Sequence, residues 1–103
     1  MINGIPQIAA AELKRRLDAG EDLFILDVRE VHEYQAANLG GTLIPMNDVP
    51  RRLGELDRER EIVVHCHAGV RSQRVAEFLR QAGFAKVSNL TGGILAWGTK
   101  ANP

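Results

Sequence analysis

Cysteine occurs once in these 103 residues, at Cys66, so no disulfide can form within the chain. Net charge of one sign is also missing, because thirteen Lys and Arg residues balance thirteen Asp and Glu. A neutral balance gives no overall field toward nucleic acid or an anionic membrane, so any anion must be held by local groups. Long hydrophobic runs are absent: the apolar stretches fall far short of the roughly 20 residues that span a bilayer. The N-terminal residues lack the basic segment and apolar run that direct secretion. With a lone thiol and no such leader, the expected setting is the reducing cytoplasm, and the expected protein is soluble. No repeat, low-complexity tract or linker-like shift divides the chain, so a single domain over 1–103 is expected, large enough to fold without a structural metal.

What is present is an alternation of strand and helix patterns. Leu23-Phe24-Ile25-Leu26, ending at Asp27, and Glu61-Ile62-Val63-Val64 are too short and too uniformly apolar for surface helices. They predict buried strands. Weaker strand signals lie at Thr42-Leu43-Ile44 and Lys86-Val87-Ser88. Helical spacing runs from Ala10 to Ala19, with Leu13 and Leu17 on one face, and from Arg74 to Gln81, with Val75, Phe78 and Leu79. Gly20 and Gly83 supply the stops. A short helix is expected over Val31 to Asn38 and another after Pro50, while the mixed charges of 51–61 predict a solvated helix and turn. Parallel strands need helical crossovers, so this order argues for an open parallel sheet covered on both faces. Ligands then bind beyond the carboxyl ends of the strands, where both Cys66 and Asp27-Val28-Arg29 fall.

Cys66 opens the run Cys66-His67-Ala68-Gly69-Val70-Arg71-Ser72 between a predicted strand and a predicted helix. Unpaired N–H groups and the positive end of the helix dipole at such a junction favour a thiolate or a bound anion. Gly69 permits the torsions that converging N–H groups need, Arg71 offers a fork of donors suited to an oxyanion, and Ser72 is expected to cap the following helix. A cysteine that merely filled the core would need none of these neighbours. His65 and His67 flank it, but adjacent residues of an extended segment point to opposite sides, so each is turned away from the cysteine, and no second cluster supplies the remaining ligands of a zinc site. No metal or other cofactor is expected. Asp27 and Arg29 are expected to support the loop from the neighbouring strand end as an ion pair or turn cap, and Trp97 is expected to anchor the core.

Three stretches together resemble the rhodanese family of single-domain sulfurtransferases. Leu26-Asp27-Val28-Arg29-Glu30 with Glu33-Tyr34 is similar to its first signature, Cys66 to Ser72 to its active-site loop, and Leu90-Thr91-Gly92-Gly93-Ile94 with Ala96-Trp97 to its C-terminal signature. The resemblance implies a three-layer α/β/α sandwich around a five-stranded, mainly parallel open sheet. It implies that Cys66 is the sulfur-accepting nucleophile, that the backbone of His67, Ala68, Gly69, Val70 and Arg71 cradles an anion, and that the Arg71 side chain contacts it. The implied partners are a small-molecule sulfur donor and an external acceptor, either cyanide or a thiol, which a partner protein can carry. The chain departs from the family at Asn38, where many relatives have histidine, and at Gly40, where many have proline. His67 and Ala68 stand where good thiosulfate users often carry extra positive charge, which makes thiosulfate a mediocre expected donor. Rhodanese-like cysteine phosphatases place five residues between cysteine and arginine; this chain has four, a smaller ring that suits sulfur better than a phosphoryl group. A sulfur-relay module with little turnover of its own is the remaining alternative.

Overall fold

Five parallel strands in the order β1-β5-β4-β2-β3 form the centre of the computed structural model, which describes residues 4–101, with side chains as far as Gly98. Residues 1–3, 102 and 103 of the expected domain lie outside the described residues. The strands are β1 (Gln7–Ile8), β2 (Leu23–Asp27), β3 (Thr42–Leu43), β4 (Glu61–His65) and β5 (Val87–Leu90). The crossovers carry α1 (Ala10–Asp18), α2 (Val31–Ala36) and α3 (Val70–Gln81), two 3-10 segments follow β3, and α4 (Gly93–Ala101) follows β5. Alternate residues of the central strands enter opposite cores because strand side chains alternate in direction. Ile62 and Val64 join Leu26, Val75, Leu79 and Phe84 on one side of the sheet. Val63 joins Leu13 and Leu90 on the other, with Trp97 packed against them. The result is a three-layer α/β/α sandwich, and no helix among the described residues is long and apolar enough to cross a membrane.

Several boundaries differ from the sequence expectation for physical reasons. Helix α3 starts at Val70 rather than Arg74, because the polar Arg71-Ser72-Gln73 turn conceals its first turn from an apolar-spacing argument. Helix α2 stops at Ala36 instead of Asn38: Ala37 is extended, and the Asn38 amide donates to the Tyr34 carbonyl at 3.1 Å while its oxygen accepts from Gly40 N–H at 2.8 Å. That side chain competes with the helical backbone. Gly40 has a φ of 82°, which a proline ring cannot adopt, so a proline at this position would require another backbone path. The segment after Pro50 is 3-10 helix, Pro50–Glu55. Strand β3 ends at Leu43, one residue early, and β5 runs on to Leu90. Strand β1 and helix α4 are additions to the expected set.

Candidate active site

Strand β4 ends at His65, and the next residue, Cys66, begins a loop that turns directly into α3. Gly69 makes this turn with a φ of 104° and occupies the N-cap position, where no side chain caps the helix. The first-turn N–H groups therefore remain available to the loop. Gly69 N–H donates to Cys66 Sγ at 3.1 Å and Ser72 N–H approaches it at 3.4 Å. Ser72 is thus not a cap. It lies inside the first turn, with its Oγ 3.3 Å from Sγ and 2.6 Å from Asn89 Oδ1. Asn89 is a buried polar residue on β5, and its amide group donates to Gln7 Oε1 at 3.0 Å and to the Gly69 carbonyl at 3.3 Å.

Cys66 is 1% exposed at the base of this loop. Burial pushes the Cys66 thiol up, but the Ser72 hydroxyl and the N–H groups of Ser72, Gly69 and Ala68 outweigh it and hold the thiol below its ordinary value. Hydrogen bonds to the charged form lower a thiol pKa in this way. The loop is fastened from behind by α4, whose Ile94 N–H donates to the Cys66 carbonyl at 2.9 Å and Leu95 N–H to the His67 carbonyl at 3.2 Å. Gly93 lets the helix approach, since a Cβ there would stand 2.5 Å from both carbonyl oxygens.

His65, fully buried under the loop, points to the α1–α4 side with Asp27, its register partner on β2. Its Nε2 lies 3.6 Å from Asp27 Oδ2, too far for a hydrogen bond, and burial pushes its pKa down. Asp27 and Arg29 form a buried ion pair, with Nε donating at 2.9 Å to Oδ1 and Nη2 at 2.7 Å to Oδ2. Arg29 also donates to the carbonyls of Glu33 at 3.3 Å and Ala37 at 2.7 Å, which ties α2 to the end of β2. Their support of the site is therefore indirect.

The Arg71 guanidinium is engaged on the Glu33 carboxylate, Nη1 to Oε1 at 2.8 Å and Nη2 to Oε2 at 3.0 Å. Glu33 Oε1 also accepts from Glu30 N–H at 2.9 Å in a capping box. The bond to Arg71, then the one to Glu30, hold the Glu33 carboxyl at about 2. His67, Ala68 and Val70 are exposed, and His67 lines a groove of about 430 Å³ with Arg29, Glu33, Ala37 and Ile94. Among the described residues no group of three or more His, Cys, Asp or Glu stands together as a metal site would require.

Glu33 as an Arg71 partner, and Asn89, Gln7 and Gly93, were not among the site residues expected from sequence. One signal was available: Asn89 is a polar residue on the face of β5 shared with buried Val87, and such a group needs a partner.

Fold and site together define a parallel α/β protein with a thiolate-stabilising loop at the carboxyl end of its central strand. A family model for the Rhodanese-like domain matches residues 9–100. The chain therefore belongs to the rhodanese family. Its relatives include a sulfurtransferase of Allochromatium vinosum, 33% identical over 100 residues that cover 96% of this chain and 94% of that protein. YrkF of Bacillus subtilis, named as a sulfur carrier protein, is 40% identical over 96 residues, covering 92% of this chain, which spans about half (52%) of that relative's length. A crystal structure of a rhodanese-like domain protein from Staphylococcus aureus superposes with a TM-score of 0.86 at 33% identity, covering 91% of this chain and 92% of that one.

Proposed function

We propose that this protein is a sulfurtransferase that carries sulfane sulfur on Cys66. The observation that carries the reading is the position of Sγ against the N–H groups of Gly69 and Ser72, a cluster of fixed donors facing one sulfur atom. Such preorganised donors favour the thiolate before reaction and the charge that appears on the terminal sulfur after it. In the first half-reaction the Cys66 thiolate attacks the outer sulfur of a donor such as thiosulfate. The new S–S bond takes that atom, the bond to the sulfonate sulfur breaks, and sulfite leaves with the bonding pair. In the second, cyanide or an acceptor thiolate attacks the terminal sulfur, leaving as thiocyanate or a persulfide and restoring the Cys66 thiolate. The loop residues His67, Ala68, Gly69, Val70 and Arg71 line the approach, with Ser72 a further donor to Sγ and Asp27 and Arg29 positioning residues. Because Cys66 is the sole cysteine of these 103 residues, the accepting group lies outside them.

The test pairs intact-mass measurement with a thiocyanate assay. Incubation with thiosulfate is expected to add one sulfur atom to the protein, cyanide to remove it as thiocyanate, and Cys66→Ser to abolish both. Continued thiocyanate production by that variant would remove the basis of the proposal. YrkF, as a relative named for sulfur carriage, favours a second reading in which the chain loads sulfur and hands it to a protein partner with little turnover alone. Stable loading without steady thiocyanate release would select that reading.

A further inference from the structure

We propose that Glu33 decides which sulfur donors Cys66 accepts, by neutralising Arg71 beside the loop and so disfavouring doubly charged donors; the inference rests on the sulfur-transfer reading above. The Arg71 fork is fully matched by the Glu33 carboxylate at 2.8 and 3.0 Å. Glu33 is itself held in place, since its Oε1 takes the Glu30 N–H and its carbonyl takes Arg29. The two side chains are 32% and 23% exposed, so the pair sits where the local dielectric is below that of water. Of the nearby charges, Arg29 is answered by Asp27, Glu30 adds a second acidic field on Arg71, and the adjoining groove is lined by one cation, Arg74, and one anion, Glu77. Backbone N–H groups are left as the main attraction for a donor.

Charge arithmetic gives this idea a signature that a loss of structure does not imitate. If Glu33 lowers the potential at the mouth, the free energy it costs a donor is proportional to the donor's charge. Removing that charge should therefore change the rate for a dianion by the square of the change for a monoanion. Glu33→Gln suits the test because glutamine also completes a capping box. In a ping-pong reaction kcat/KM for the donor reports the loading half-reaction alone.

The experiment compares wild type and Glu33→Gln with thiosulfate, a dianion, and methanethiosulfonate, a monoanion, using cyanide as acceptor at low ionic strength. The expected gain in kcat/KM is roughly threefold for the monoanion and roughly tenfold for thiosulfate, the size of a partly screened surface charge. Both gains should shrink as salt is added. The wild-type protein gives a second check that needs no variant: with the mouth neutral, its kcat/KM for thiosulfate should be nearly flat with salt. Equal changes for the two donors, a fall for both, or a steep wild-type salt dependence would overturn the role of Glu33. Failure of the wild type to load sulfur from either donor would overturn the sulfur-transfer reading itself.

Discussion

Ser72 has one hydroxyl proton and two acceptors within reach, Asn89 Oδ1 at 2.6 Å and Cys66 Sγ at 3.3 Å. The Asn89 amide nitrogen is committed to Gln7 and Gly69, so its oxygen must face Ser72. While Cys66 is a neutral thiol, the shorter contact holds the proton on the asparagine side. Ionisation changes the contest, because a hydrogen bond to a charged acceptor is roughly twice as strong as one between neutral groups. The hydroxyl then turns to the sulfur. Ser72→Ala removes this donor and should move the Cys66 titration to higher pH, with loading at neutral pH falling accordingly. Cys66 is the sole thiol, so the pH dependence of alkylation by iodoacetamide reports it directly. An unmoved midpoint would mean that the proton stays with Asn89 in both states.

At the scale of elements, the site depends on a junction between α4 and the loop that follows β4. The N-terminus of α4 donates to the Cys66 and His67 carbonyls, and Gly93 is the point of closest approach. Gly93→Ala would put a methyl group 2.5 Å from both oxygens, at a φ of 59° that already disfavours a side chain. The backbone has to retreat, and the donors facing Sγ move with it. A displacement near 1 Å at reacting atoms can cost roughly 100-fold in rate, so sulfur loading should fall by about that factor while the circular dichroism spectrum is retained. Gly54→Ala, with nothing within 4 Å of its new methyl, is the matched control and should behave as wild type. Loading by Gly93→Ala at the wild-type rate would show that the loop tolerates the shift. The same junction explains what the sequence could and could not reveal. Strands β2 and β4 were legible because burial on both faces writes a continuous apolar run. The nucleophile loop was legible because strand, cysteine, glycine and arginine are contiguous. Strand β1 is two residues long and exists through its pairing with β5, while α4 opens on glycines and shows no clear apolar period. Glu33 and Asn89 reach the loop from distant elements, across contacts that no spacing rule encodes.

Over the whole molecule charge is balanced, and the response of stability to pH falls to a few buried groups. His65 is fully buried beside the Asp27–Arg29 pair. Burial lowers its pKa below the ordinary 6.5, with Arg29 adding to the effect and Asp27 opposing it. Below 6.5 the unfolded chain takes up a proton that the folded protein refuses, so stability is complete above that pH and declines as pH falls toward the folded-state value. The slope is about 1.4 kcal/mol per pH unit for one such proton. Glu33 works in a lower window: its contribution is complete above the ordinary 4.5 and is lost only as pH falls toward about 2. Cys66 is also held below its ordinary 9.0, and its contribution declines as pH falls from there, so the His65 share between pH 7.5 and 5.5 is read in a Cys66→Ser background. Urea unfolding of Cys66→Ser is expected to show a lower midpoint at pH 5.5 than at pH 7.5. With His65→Gln added the difference should largely vanish, even if the double variant is less stable at both values. An unchanged difference in that variant would move the origin of the pH response away from His65.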